Sequence, residues 1–134
     1  MDELVYELQQ LKNTKELEKQ KDTALIPANV KTKNLEKYER IHRRWQGIPA
    51  IAITKNGIMY CACYSGGNGE GKDNYVLVER SKDGGQTWSE PIAVVDPEGY
   101  VRAFDACLWV TPNNELALFW NQSFGGFDEE QVYS

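Results

Sequence analysis

The octapeptide SKDGGQTW, residues 81–88, constrains the fold more than any other part of the chain. Its adjacent glycines, Gly84 and Gly85, permit a tight turn at positive φ because they carry no Cβ atom. Ser81 and Asp83 carry short oxygen-bearing side chains, which hydrogen-bond the backbone of their own turn. The tryptophan that ends the octapeptide offers a large apolar surface for packing against strands. The segment therefore predicts a well-defined turn between two β-strands.

Short apolar and β-branched runs lie on both sides of this turn, separated by clusters of turn residues. The runs predicted as strands are Ile48–Thr54, Ile58–Tyr64, Tyr75–Arg80, Glu90–Val95, Phe104–Val110 and Glu115–Trp120. Between the first two, Asn56-Gly57 predicts a type I′ hairpin turn, because these residues suit its two positive-φ positions. Trp109 and Trp120 alternate with other apolar residues, so we expect them in the core rather than on a sugar-stacking surface. Four antiparallel strands followed by the start of four more are typical of propeller blades.

Residues 1–45 differ from the remainder in pattern and in charge. Four leucines recur at spacings of three, four and six over residues 2–21, which predicts an amphipathic helix. A polar stretch at Lys33–Arg40 predicts a second, short helix. Residues 1–45 contain ten Lys and Arg against eight Asp and Glu, whereas residues 46–134 contain five against twelve. We therefore predict a helical, polar N-terminal extension over 1–45 and a β domain over 46–134.

The composition excludes several classes of protein. With 134 residues and a formal net charge of −5, the chain lacks the basic character of a nucleic-acid-binding domain. No apolar stretch approaches the roughly 18 residues of a membrane span, and the N-terminus lacks the basic and apolar runs of a signal peptide. Three Cys and one His argue against a zinc site or a disulfide scaffold, so we predict no metal or other cofactor. Gly66–Lys72 approximates a phosphate-binding loop, but Asp73 replaces the required Ser or Thr and a strand follows.

The octapeptide is a complete S-x-D-G-G-x-T-W and resembles the Asp-box, or BNR repeat, of the sialidase-like β-propellers. Its defining residues are Ser81, Asp83, Gly84, Gly85, Thr87 and Trp88. The resemblance covers about residues 43–127, through Trp45-Gln46-Gly47-Ile48-Pro49 and Arg102-Ala103-Phe104-Asp105. It implies a mainly β fold with about two four-stranded antiparallel blades of a six-bladed propeller. The chain would then be an N-terminal piece of a longer protein, and its exposed blade edges would favour self-association.

The resemblance also implies catalytic and substrate-binding residues. In such domains the loop before the third strand carries the general acid/base, for which Glu70 is the first candidate and Asp73 the second. A carboxylic acid there would protonate the leaving glycosidic oxygen; the alternative is that both are solvated loop carboxylates. Where sialidases carry the arginine that binds the substrate carboxylate, this chain has Gly47. Arg43 or Arg44, a few residues upstream, would have to substitute.

Two further residues follow the first blade. Innermost blade strands begin near the central pocket, so the resemblance places Asp105 at the rim of the site. Asp105 would hold sugar hydroxyls, and Arg102 would pair with an acidic group or with Asp105 itself. The alternative is an Arg–Asp pair that only ties one blade to the next.

The resemblance supports three functions. The first is an exo-acting glycoside hydrolase of the sialidase type, which removes a terminal sugar such as sialic acid from glycoconjugates and is inactive as this piece alone. The second is a non-catalytic, carbohydrate-binding propeller, which Gly47 in place of arginine favours. The third is an inactive remnant that assembles through its blade edges. For the first two the expected partner is a glycan, and neither nucleic acid nor a membrane.

Overall fold

The computed structural model describes residues 9, 10, 12, 14–16, 18, 19 and 22–125. The described residues up to Thr23 have α-helical backbone. The helix predicted over residues 2–21 therefore lies partly outside the described residues. No helix among the described residues is long and apolar enough to cross a membrane.

The described chain is mainly β. Its strands are β1 (Val30–Lys31), β2 (Gly47–Ile53), β3 (Met59–Ser65), β4 (Tyr75–Ser81), β5 (Ala93–Val95), β6 (Val101–Val110) and β7 (Leu116–Phe124). Two short 3-10 helices, Glu36–Tyr38 and Arg40–His42, lie between β1 and β2. They lie where Lys33–Arg40 predicts one short helix, and the extended backbone of Glu39 separates them.

The strands form two antiparallel sheets. The first has the order β1-β5-β4-β3-β2, so β2 to β5 form a meander and β1 adds an edge strand beside β5. The second is the β6–β7 hairpin. A mainly antiparallel β fold is thus confirmed, and the assembly of these sheets into propeller blades stays a prediction.

Both faces of the larger sheet are covered. On one face Tyr64, Val76 and Val95 lie in register and pack against apolar residues of β6. On the other face Cys63, Leu77 and Val94 pack beneath the buried ring of Tyr38. β4 is therefore buried on both sides, which explains its unbroken apolar run from 75 to 78.

The β2–β3 turn differs from the predicted type I′ turn. Only Gly57 has a positive φ, at +82°, and Asn56 does not. The Gly57 amide donates to the Thr54 carbonyl and the Thr54 amide donates to the Ile58 carbonyl, both at 2.9 Å. This is the longer turn that ends in a left-handed glycine. The Thr54 hydroxyl holds the Asn56 side chain, a contact that the Asn-Gly pair alone does not reveal.

The expectation of a buried Trp109 is wrong. Its side chain is 53% exposed, because β6 covers the larger sheet with one face and alternate residues point away. Trp120 is half-buried and packs against the core. At Asp105 a bulge shifts the register of β6 against β7, and this residue has a φ of +46°.

Candidate functional site

The glycine-rich loop between β3 and β4 is organised by one buried side chain, that of Asn74. Its Oδ1 accepts a hydrogen bond from the Gly71 amide at 2.9 Å. Its Nδ2 donates to the carbonyls of Gly66 at 3.1 Å and Gly69 at 2.9 Å. Gly66 cannot be replaced by a larger residue, since a Cβ there would lie 2.2 Å from the Asp73 carbonyl oxygen. The loop therefore has a defined path and presents Glu70 from a fixed backbone.

Glu70 contacts two side chains from other elements. Its Oε1 accepts a hydrogen bond from the hydroxyl of Tyr64 in β3. Its Oε2 forms an ion pair with Nη2 of Arg102, at the start of β6. The Arg102 side chain is 7% exposed and that of Glu70 is 31% exposed. The structure thus brings together the first candidate for the acid/base and one of the predicted substrate-binding residues.

Aromatic rings surround this ion pair. The Arg102 guanidinium lies 4.0 Å from the centroid of the Phe104 ring and 5.9 Å from that of Tyr64. Trp45 meets Tyr64 edge-on, with ring centroids 5.2 Å apart, and its Nε1 donates to the Gly66 carbonyl. These contacts hold the charged pair in a partly apolar setting, where charge-assisted hydrogen bonds are stronger than in water.

Asp105 is exposed, and among the described residues it forms no hydrogen bond or ion pair with Tyr64, Glu70 or Arg102; only its charge affects Tyr64. Burial, the hydrogen bond to Glu70, and the charges of Glu70 and Asp105 together raise the pKa of Tyr64 to about 12. We call Tyr64, Glu70, Arg102 and Asp105 the Tyr64 cluster. It combines two carboxylates, a guanidinium and a phenol that remains protonated at neutral pH. Nε of Arg102 is buried and has no partner among the described residues.

Packing in this site explains why residue 47 is a glycine. A Cβ atom at residue 47 would lie 3.3 Å from Cζ3 of Trp45 and 3.7 Å from Cε1 of Tyr64. The rings of Trp45 and Tyr64 therefore occupy the space that a side chain at this position would need. An arginine here would require Trp45 to shift by a few tenths of an ångström.

The other predicted site residues lie outside the Tyr64 cluster. Arg43 is buried against Glu79, with Nη2 and Oε2 3.5 Å apart. Arg44 is exposed and donates to the side chain of Asn68. Asp73 is exposed and its nearest cation is Lys72, at 3.7 Å.

The Asp-box residues form a hydrogen-bonded turn between β4 and β5. The Ser81 hydroxyl donates to Oδ1 of Asp83 and accepts from the Gly85 amide, both at 2.8 Å. Asp83 also accepts from the amide of Thr87 at 2.9 Å and from its hydroxyl. Gly84 and Gly85 have φ values of +73° and +89°. The Trp88 indole donates to the Gly85 carbonyl at 3.1 Å and closes the turn.

Reasoning from the sequence missed Tyr64 and Asn74. Tyr64 lies within β3 and Asn74 directly precedes β4, and nothing in their spacing distinguishes them from other strand and loop residues. Among the described residues no group of three or more His, Cys, Asp and Glu side chains is placed to hold a metal ion. Neither a scan against protein-family models nor a search of curated proteins finds a match for the chain.

Proposed function

We propose that the chain is part of a sialidase-like glycoside hydrolase domain and that the Tyr64 cluster contacts the terminal sugar. The observation that carries this proposal is the contact between Glu70 and Arg102, which come from separate segments 32 residues apart. Asp105, a third residue singled out by the resemblance, is exposed, and its charge contributes to the raised pKa of Tyr64. Carboxylates beside a guanidinium suit both acid/base chemistry and the binding of sugar hydroxyls.

Each residue of the cluster has a distinct role in this proposal. Glu70 is the acid/base, Arg102 orients it, and Asp105 binds hydroxyls of the sugar. Tyr64 is a positioning residue, since its side chain is 4% exposed and its hydroxyl already donates to Glu70. Both oxygens of Glu70 accept hydrogen bonds, so Glu70 must release Arg102 and take up a proton from solvent before it can protonate a leaving group.

The two loop carboxylates provide a matched test. In a version of the protein that turns over a glycoside, Glu70→Gln should lower turnover about 100-fold or more, as expected for loss of an acid/base. Asp73→Asn should retain near-normal turnover, because Asp73 lies outside the cluster. A panel of fluorogenic terminal glycosides that includes a sialoside would measure both variants. Equal turnover by the Glu70→Gln variant and the unchanged protein would contradict the role of Glu70.

A second candidate function is non-catalytic glycan binding, which the ion pair between Glu70 and Arg102 favours. The Tyr64 hydroxyl and the Arg102 guanidinium already occupy both oxygens of the Glu70 carboxylate. Trp45 also occupies the space beside Gly47, where a substrate-binding arginine would stand. Binding to a glycan array without hydrolysis of the bound glycan would support this function over the first.

A further inference from the structure

A second polar cavity lies on the opposite face of the larger sheet from the Tyr64 cluster. It has a volume of about 490 Å³, and Gln46, Cys61, Glu79, Gln86 and Trp88 line it. Cys61 and Glu79 are cross-strand partners. Their neighbours Ala62 and Val78 face β6, and side chains alternate along a strand, so this cavity is on the other side. Its volume is within the range of small-ligand sites. We call it the Glu79 cavity.

Only some of the polar groups in the Glu79 cavity form hydrogen bonds within the described protein. The Glu79 side chain is 9% exposed, and its Oε2 accepts from Nη2 of Arg40 at 2.6 Å and from Nη2 of Arg43 at 3.5 Å. Within the described part of the chain, no hydrogen bond reaches its Oε1. Gln46 and Gln86 are exposed, and their side-chain amides have no hydrogen-bond partner among the described residues. One carboxylate oxygen and two amides are therefore available to a ligand.

The charges around the cavity are balanced. Arg40 pairs with Glu79 and also with Glu90, where Nη1 and Oε1 are 3.8 Å apart. Together with Arg43, this gives two cations and two anions. A charged ligand would gain little from such a site, whereas a neutral ligand with several hydroxyls would use the amide and carboxylate groups.

The remaining wall of the cavity is aromatic. The Trp88 indole N–H is used within the turn, by the Gly85 carbonyl, so its ring offers carbon surface to the cavity. The hydrogen bonds of the octapeptide turn hold the ring in place. A pyranose has an apolar C–H face and a rim of hydroxyls, which match an indole beside amide and carboxylate groups. We propose that the Glu79 cavity binds one neutral hexopyranose unit, at a site separate from the Tyr64 cluster.

The test uses the full chain and four named probes: the methyl glycosides of glucose, galactose, mannose and N-acetylglucosamine. Titration calorimetry or ligand-observed NMR should find at least one of them bound, with a dissociation constant on the order of 1 mM. The double variant Gln46→Ala/Gln86→Ala should weaken that binding about tenfold or more, because each amide supplies a hydrogen bond. Both side chains are exposed and neither forms a hydrogen bond within the described residues, so the fold should be unaffected. Lys82→Ala, in the same turn but outside the cavity, should bind like the unchanged chain.

Two outcomes would overturn the inference. The first is that none of the four glycosides binds, or that the double variant binds as tightly as the unchanged chain. The second is that Glu70→Gln abolishes binding while the double variant keeps it, which would assign the sugar to the Tyr64 cluster and support the proposed function instead. Loss of binding in the double variant alone supports the Glu79 cavity, whatever the outcome for glycoside hydrolysis.

Discussion

Asp83 is an exposed side chain that nonetheless organises the octapeptide turn. It accepts hydrogen bonds from the hydroxyl and amide of Thr87 and from the Ser81 hydroxyl. These bonds, with the Thr87 hydroxyl contributing most, lower the pKa of Asp83 to about 2 from its ordinary 3.8. Because the folded state favours the ionised form, Asp83 stabilises the protein fully above about pH 4. That stabilisation is lost as the pH falls towards 2.

This pH dependence can be measured by comparing Asp83→Asn with the unchanged chain in urea unfolding between pH 7 and pH 2. The variant should be less stable at pH 7, and the difference should shrink below about pH 4. Glu98→Gln removes an exposed carboxylate outside the turn and is the control. A difference between the Asp83→Asn variant and the unchanged chain that stays constant down to pH 2 would show that Asp83 does not act through its charge.

Among the elements, the loop between β3 and β4 depends most on a single residue. Asn74→Ala would leave the Gly71 amide and the carbonyls of Gly66 and Gly69 without their side-chain partner. Buried polar groups without partners are costly, so we expect the free energy of unfolding to fall by about 3 kcal/mol. Amide hydrogen exchange across residues 66–74 should accelerate as well.

Asn68→Ala is the matched control for Asn74→Ala, since Asn68 lies in the same loop, is exposed and bonds only Arg44 among the described residues. Its effect on stability should stay within about 0.5 kcal/mol. If the two variants unfolded at the same urea concentration, Asn74 would not be the organiser of the loop.

At the scale of the whole molecule, one glutamine ties the segment before β1 to the second sheet. Nε2 of Gln122 donates to the carbonyls of Ala24 and Ile26, and its Oε1 accepts from the Ala28 amide at 3.2 Å. Gln122→Ala should therefore increase amide exchange over residues 24–28 on the order of tenfold, since these bonds hold that segment.

The exchange of β1 should change less in the Gln122→Ala variant, because β1 is held by its pairing with β5. Asn121→Ala, which alters the exposed neighbour, should leave exchange over 24–28 unchanged. Equal protection of residues 24–28 in the Gln122→Ala variant and the unchanged chain would mean that other contacts hold the segment.

Much of the local structure could be predicted from the sequence. Apolar and β-branched runs predicted the strands β2 to β7, with boundaries that differ by up to four residues. The glycines and short polar side chains of residues 81–88 predicted a turn, and that turn has positive φ at Gly84 and Gly85. The type I′ prediction at Asn56-Gly57 failed: the turn is longer, and Thr54, outside the pair, closes it through backbone hydrogen bonds with Gly57 and Ile58.

The sequence by itself determined what depends on near neighbours: the strand pattern, the octapeptide turn and the acidic loop that carries Glu70. Only the tertiary structure decided that Arg102 pairs with Glu70 and not with Asp105. It also decided that Arg43 lies against Glu79 and that Trp109 is exposed. The physical reason is that these outcomes depend on which sheet faces meet. Propensity and periodicity act over a few residues, whereas the contacts of β6 with β3 and with the loop after it join residues about 30 to 40 positions apart.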